Sequence, residues 1–246
     1  MGFTPFVDDL GFVVALILSA AAVLAWTSVR GFFALVRNDP VQLRGILKAS
    51  AVPVGILGGI SAFVGLFIEV QWPFLASDGL GSYNIFFGDV LMLFAMVALV
   101  YAVVAYKGLK LEYAGFFGFV AGVITAWYGY WGYTTLVKPG VLGLTKDPLE
   151  TFLLYLAYAA AGVFSLPAAL IVDWFLEHPG PTWTPISFSL RPASERSETP
   201  PADGKFRLPA YAYLLLVWFP VFVTLAAIAA WFYIGDILPG HLTSPP

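Results

Sequence analysis

Six apolar runs, each of roughly membrane-spanning length, alternate with polar segments along the chain. They fall at about 11–30, 51–70, 88–106, 114–137, 150–172 and 209–235. A helix needs ~20 apolar residues to cross ~30 Å of hydrocarbon, so each run predicts one transmembrane helix. Backbone in lipid must be satisfied within helices or closed barrels, and no strand-like alternation of ~10 residues is visible. The pattern therefore predicts an all-α integral membrane protein with six transmembrane helices. Residues 1–172 form a five-helix membrane region, 173–208 a polar connecting loop, and 209–246 the sixth helix with a short tail.

Composition agrees with this division. The chain is 60% hydrophobic and only 11% charged, whereas soluble domains carry about 25% charged residues. The net charge of −3 and the lack of a basic stripe give no reason to expect a nucleic-acid partner. There is no cysteine, so disulfides and thiolate chemistry are excluded. The acidic start MGFTPFVDDLGF lacks the basic n-region of a secretory signal, so the first apolar run is expected to be retained.

Basic residues predict the orientation. Ten of the twelve Lys and Arg lie in the first, third and fifth connections: Arg30, Arg37, Arg44, Lys48, Lys107, Lys110, Arg191, Arg196, Lys205 and Arg207. By the positive-inside rule, the loops at 31–50, 107–113 and 173–208 are cytoplasmic, and both termini are extracytoplasmic. The expected location is the plasma membrane, crossed several times. The 173–208 loop is rich in Pro and Ser and reads as an extended tether; a docking strip for a soluble partner is the alternative.

Two helical hairpins resemble each other. Trp72 and Trp131 stand at the outer ends of their spans, 59 residues apart. Asp89 and Asp147 follow, 58 apart, each with Leu at +2 and Phe at +5. This predicts a duplicated two-helix unit, a device common among transporters. Gly55, Gly58, Gly59 and Gly65 give the second span a small-residue surface for close helix packing. Pro167 and Pro220 predict kinks in spans five and six.

The stretch WPFLASDGLGSYNIFFGD, residues 72–89, carries the most chemistry. Asp89 and Asp147 are placed as helix N-caps, with Pro148 in the first helical turn. Glu69, Asp78, Tyr83, Asn84 and Asp89 then form either an acidic, aromatic rim for a cation or quinol headgroup, or a loop held by its own hydrogen bonds. Tyr83, Asn84, Ile85, Phe87, Gly88 and Asp89 resemble the YNI-x-FGD signature of a prokaryotic, mainly archaeal, membrane-protein family, domain of unknown function 981. The resemblance implies a multi-span membrane protein and brings no assigned catalytic residue.

Trp127, Tyr128, Tyr130, Trp131 and Tyr133 cluster near the outer end of the fourth span. Such belts sit at headgroup depth. Trp127, Tyr130 and Trp131 are also candidates for a lipid or quinone groove, with Gly129 and Gly132 allowing close approach. The two histidines, His178 and His241, lie outside the spans, so haem or metal binding through this chain's own ligands is not expected. No ionisable group stands mid-span, which disfavours a proton-coupled pump. No nucleophile–base pair or phosphate loop appears, so no catalytic residue is assigned. The expected function is a non-catalytic integral subunit of a larger prokaryotic membrane complex, respiratory or energy-transducing. Its partners would be membrane lipids and other integral subunits. The alternative is a small-solute carrier or channel.

Overall fold

The structure, a computed structural model, describes residues 9–37, 39–71, 88–136, 148–177 and 217–231. Five long helices follow one another: α1 (Asp9–Val36), α2 (Pro40–Gln71), α3 (Val90–Lys107), α4 (Glu112–Leu136) and α5 (Pro148–Glu177). A sixth, α6, covers Val217–Trp231. The described residues contain no strand. Four stretches are long and apolar enough to cross a membrane: Ala15–Val36, Pro40–Gln71, Val90–Lys107 and Tyr155–Glu177. The 25 residues of α4 suffice in length, but its glycines, tyrosines and tryptophans dilute its hydropathy.

The first connection is far tighter than expected. The segment 31–50 is mostly helix, and the chain reverses between Val36 and Pro40. Asp39 makes this turn: its Oδ1 accepts the Gln42 N–H at 2.8 Å, and its carbonyl accepts the Leu43 N–H at 3.1 Å. Pro40 follows in the first helical position, where a missing N–H costs nothing. At 1.5 Å per residue, α2 is about 48 Å long, longer than ~30 Å of hydrocarbon. Arg44 and Lys48 thus ride on a helical extension rather than on a loop. Pro53 falls inside α2, where it cannot donate to the carbonyl four residues back.

The α3–α4 connection is closed by Gly108 at φ 67°, the left-handed conformation that ends many helices. The Leu109 N–H reaches the Val104 carbonyl at 2.9 Å. Three contacts tie this end of the bundle to the end of α5. Asp173 accepts the N–H groups of Leu111 and Glu112, each at 2.8 Å. Lys110 pairs with Glu177 at 2.7 Å, and that carboxylate holds the exposed ammonium pKa above its ordinary value. Arg44 donates to the Leu176 carbonyl at 3.0 Å. The expected loop at 173–208 therefore begins later, since Asp173 belongs to α5 and is buried. Phe175 is fully buried there with Leu43, Ile46 and Ile171.

Two hairpins, α2–α3 and α4–α5, pack along small-residue seams. A Cβ added at Gly55 would lie 3.0 Å from Ala102 Cβ, at Gly58 2.9 Å from Ala98 Cβ, and at Gly65 2.8 Å from Met92 Cγ. The α4–α5 seam is closer: at Gly122 the added carbon would lie 2.7 Å from the Ala159 carbonyl oxygen and the Val163 nitrogen. Gly162 faces Gly122 across it. In lipid, such backbone approach supplies the attraction that apolar surface alone cannot. The expected duplication does not carry this register. Offsets of 59 and 58 would map the Gly58–Ala98 contact onto Phe117 and Leu156, and both are exposed. Of the residues that suggested the repeat, Trp72 and Asp147 lie outside the described residues.

Candidate functional site

Glu69, Asp89 and Tyr128 meet at the end of the bundle opposite Asp173. Glu69 occupies the last turn of α2, and Asp89 lies in a single π-type turn entering α3. Asp89 does not cap α3 as its position predicted. Its backbone is already helical at φ −58°, ψ −47°, and its side chain makes no capping bond. Instead its Oδ2 accepts the phenolic O–H of Tyr128 from α4. The carboxyl of Glu69 lies beside that of Asp89, and Glu69 Oε1 is buried without a hydrogen-bond partner among the described residues. Gly88 makes room for it, because a Cβ there would collide with that oxygen. The Gly-Asp end of the signature thus has a packing reason and a hydrogen-bonding reason.

The arrangement brings two carboxyl side chains and one phenol to a helix junction, with Tyr128 as the donor to Asp89. Asp78, Tyr83 and Asn84 of the expected rim lie outside the described residues, as does the segment 178–208. No group of three or more His, Cys, Asp or Glu suited to a metal occurs among the described residues.

The aromatic group of α4 divides by helical phase. Trp127 and Tyr130 stand outward, 68% and 58% exposed, with Trp131 at 41%. The rings of Trp127 and Tyr130 lie 6.1 Å apart. Tyr128 turns inward, and Gly129 abuts Tyr155 Cβ, which a Cβ at 129 would approach to 2.8 Å. The close approach expected at Gly129 is thus made by α5 of the same chain.

Inside the bundle lies a cavity of about 230 Å³, lined from all six helices. Representative walls are Leu24 of α1, Val54 of α2, Phe94 of α3, Ala121 of α4, Ala161 of α5 and Ala226 of α6. Among the described residues, no Asp, Glu, Lys, Arg or His lines it. Its hydroxyls are mostly committed to the protein. Thr27 donates to the Val23 carbonyl at 2.7 Å and Ser28 to Leu24 at 2.7 Å. Ser165 donates to the carbonyls of Gly115 and Gly162, at 2.9 Å and 2.6 Å. Tyr101 and Ser50 bond to each other at 2.7 Å. The outward Trp127, Tyr130 and Trp131 take no part in this lining.

The cavity and the inward role of Tyr128 were not visible as sequence motifs. Phase along α4 was the available signal, since Tyr128 follows the face of Gly118, Gly122 and Thr125, all of them buried. No curated protein and no solved structure matches the chain. The family described as "Protein of unknown function (DUF981)" matches residues 1–187, about three quarters of the chain, and the chain belongs to that family.

Proposed function

We propose that the chain is a non-catalytic, multi-pass subunit of a larger prokaryotic membrane assembly, respiratory or otherwise energy-transducing, whose bundle holds a lipid or quinone. The observation that carries this reading is the cavity between the helices, with walls from six helices and, among the described residues, no acidic or basic side chain. Such walls suit a hydrophobic molecule that enters from the bilayer. They disfavour the carrier alternative for a polar or charged solute, whose lost hydration would go uncompensated. The outward aromatics Trp127, Tyr130 and Trp131 supply a surface for lipid headgroups or a neighbouring integral subunit.

In this reading all six helices span a plasma membrane and both termini are extracytoplasmic. Arg37, Arg44, Lys107 and Lys110 then mark the cytoplasmic end, and the Glu69–Asp89–Tyr128 junction the outer end. The test is mild solubilisation of native membranes, followed by size separation with mass analysis of the fractions carrying this chain. Co-migration with larger integral subunits is expected. Isolation as a lone chain that drives solute flux in liposomes would replace this reading with the carrier.

A further inference from the structure

We infer that the cavity selects a hydrophobic molecule bearing a carbonyl, and that Tyr158 of α5 recognises that carbonyl with its phenolic O–H. This inference rests on the cavity reading and adds the ligand's polar chemistry. Tyr158 lines the cavity, yet its hydroxyl oxygen is buried and has no hydrogen-bond partner among the described residues. Thr27, Ser28, Tyr101 and Ser165, which also line it, all bond within the protein. A buried hydroxyl left without a partner destabilises the fold. A site built to hydrogen-bond one group rejects analogues that lack it. The α4–α5 seam brings Gly122 against Ala159, so Thr125, almost one turn beyond Gly122 on α4, lies at the level of Tyr158 and lines the same cavity. The walls elsewhere are mostly aliphatic and aromatic, which suits a hydrocarbon tail. A quinone ring and an acyl ester both present a carbonyl acceptor next to such a tail.

The test compares three probes on the delipidated full-length chain in neutral detergent: a decyl-substituted benzoquinone, a fatty-acid methyl ester of similar length, and decylbenzene. Binding is followed by equilibrium partition and by the infrared carbonyl stretch. The wild-type protein is expected to bind one or both carbonyl probes about tenfold more tightly than decylbenzene, the factor one net hydrogen bond supplies. The bound carbonyl band should shift to lower frequency. Tyr158→Phe should abolish both the preference and the shift while still binding decylbenzene. Preference for the quinone over the ester assigns the source as a quinone, and the reverse assigns an acyl lipid. Equal wild-type affinity for all three probes overturns the carbonyl inference and leaves the cavity reading standing. A preference that survives Tyr158→Phe does the same. If wild type binds none of the probes, the cavity reading falls and takes the inference with it. A separate check is thermal unfolding of the ligand-free variant. Tyr158→Phe should match or exceed the wild-type Tm, because it removes an orphan hydroxyl, and a lower Tm would show that the hydroxyl already has a partner.

Discussion

Asp173 on α5 receives the N–H of Leu111 at 2.8 Å, just where the chain turns into α4. Its second oxygen takes the next N–H, that of Glu112, at 2.8 Å. One carboxylate therefore caps a helix that begins 61 residues earlier in sequence. The free N–H groups at a helix start and the positive end of its dipole both favour this partner. Asp173→Ala should lower stability by about 1–2 kcal/mol, the usual loss for a removed cap, with Asp173→Asn less severe. Thermal unfolding in detergent would show the order wild type, Asn, Ala. An unchanged Ala variant would mean that the cap contributes nothing.

The α4–α5 seam allows a sharper contrast between glycines. A Cβ at Gly122 meets backbone at 2.7 Å, whereas one at Gly59 meets nothing within 4 Å. Gly122→Ala must push two helices apart and should strongly reduce the folded yield. Gly59→Ala should be neutral or stabilise α2 by up to about 1 kcal/mol through helix propensity. Equal yields and equal Tm values for the two variants would contradict the seam.

At the other end of the bundle, Tyr128 and Asp89 should be energetically coupled. A double-mutant cycle with Tyr128→Phe and Asp89→Ala is expected to give about 1–2 kcal/mol, the upper range for hydrogen bonds between membrane helices. Glu69→Gln should be tolerated, because it removes one of two acids in contact while keeping the shape. A coupling near zero would show that the Tyr128 hydroxyl is not held by Asp89.

The absence of native cysteine makes topology simple to probe. Single-cysteine variants at Arg37 and Lys110 should react with a membrane-impermeant thiol reagent only from the cytoplasmic side. A cysteine at Ala76 should react only from the outside. Labelling of all three positions from one side would break the alternation of spans.

Much of the helical plan was legible in the residues, because the runs of apolar positions are long and their connections carry charge. The gap was in extents. Arg44 and Lys48 read as loop residues in sequence, yet they lie on α2, which is longer than a hydrocarbon layer is thick and is capped by Asp39. The Asp-Pro pairing that predicts a helix start at Asp147–Pro148 also occurs at Asp39–Pro40, where α2 begins. Asp89 was misplaced for a related reason. Local sequence made it a cap, but Tyr128, 39 residues away, offered a tertiary partner that local pattern cannot reveal. The duplicated-hairpin spacing does not give the helix register either, since matched spacings say nothing about which faces meet; Gly122 and Gly162 set that register. Tyr158 carried no signal at all, because an unpartnered hydroxyl is a property of surroundings drawn from several helices.

The central claim is that the bundle holds a hydrophobic molecule in its cavity. The most direct measurement is mass analysis of an organic extract from extensively detergent-washed protein, for wild type beside Ala161→Phe, which fills cavity space with an aromatic ring. Wild type should retain one hydrophobic species at close to one per chain, and the filled variant should retain far less while remaining folded. Equal retention by both proteins, or none by wild type, would contradict the claim.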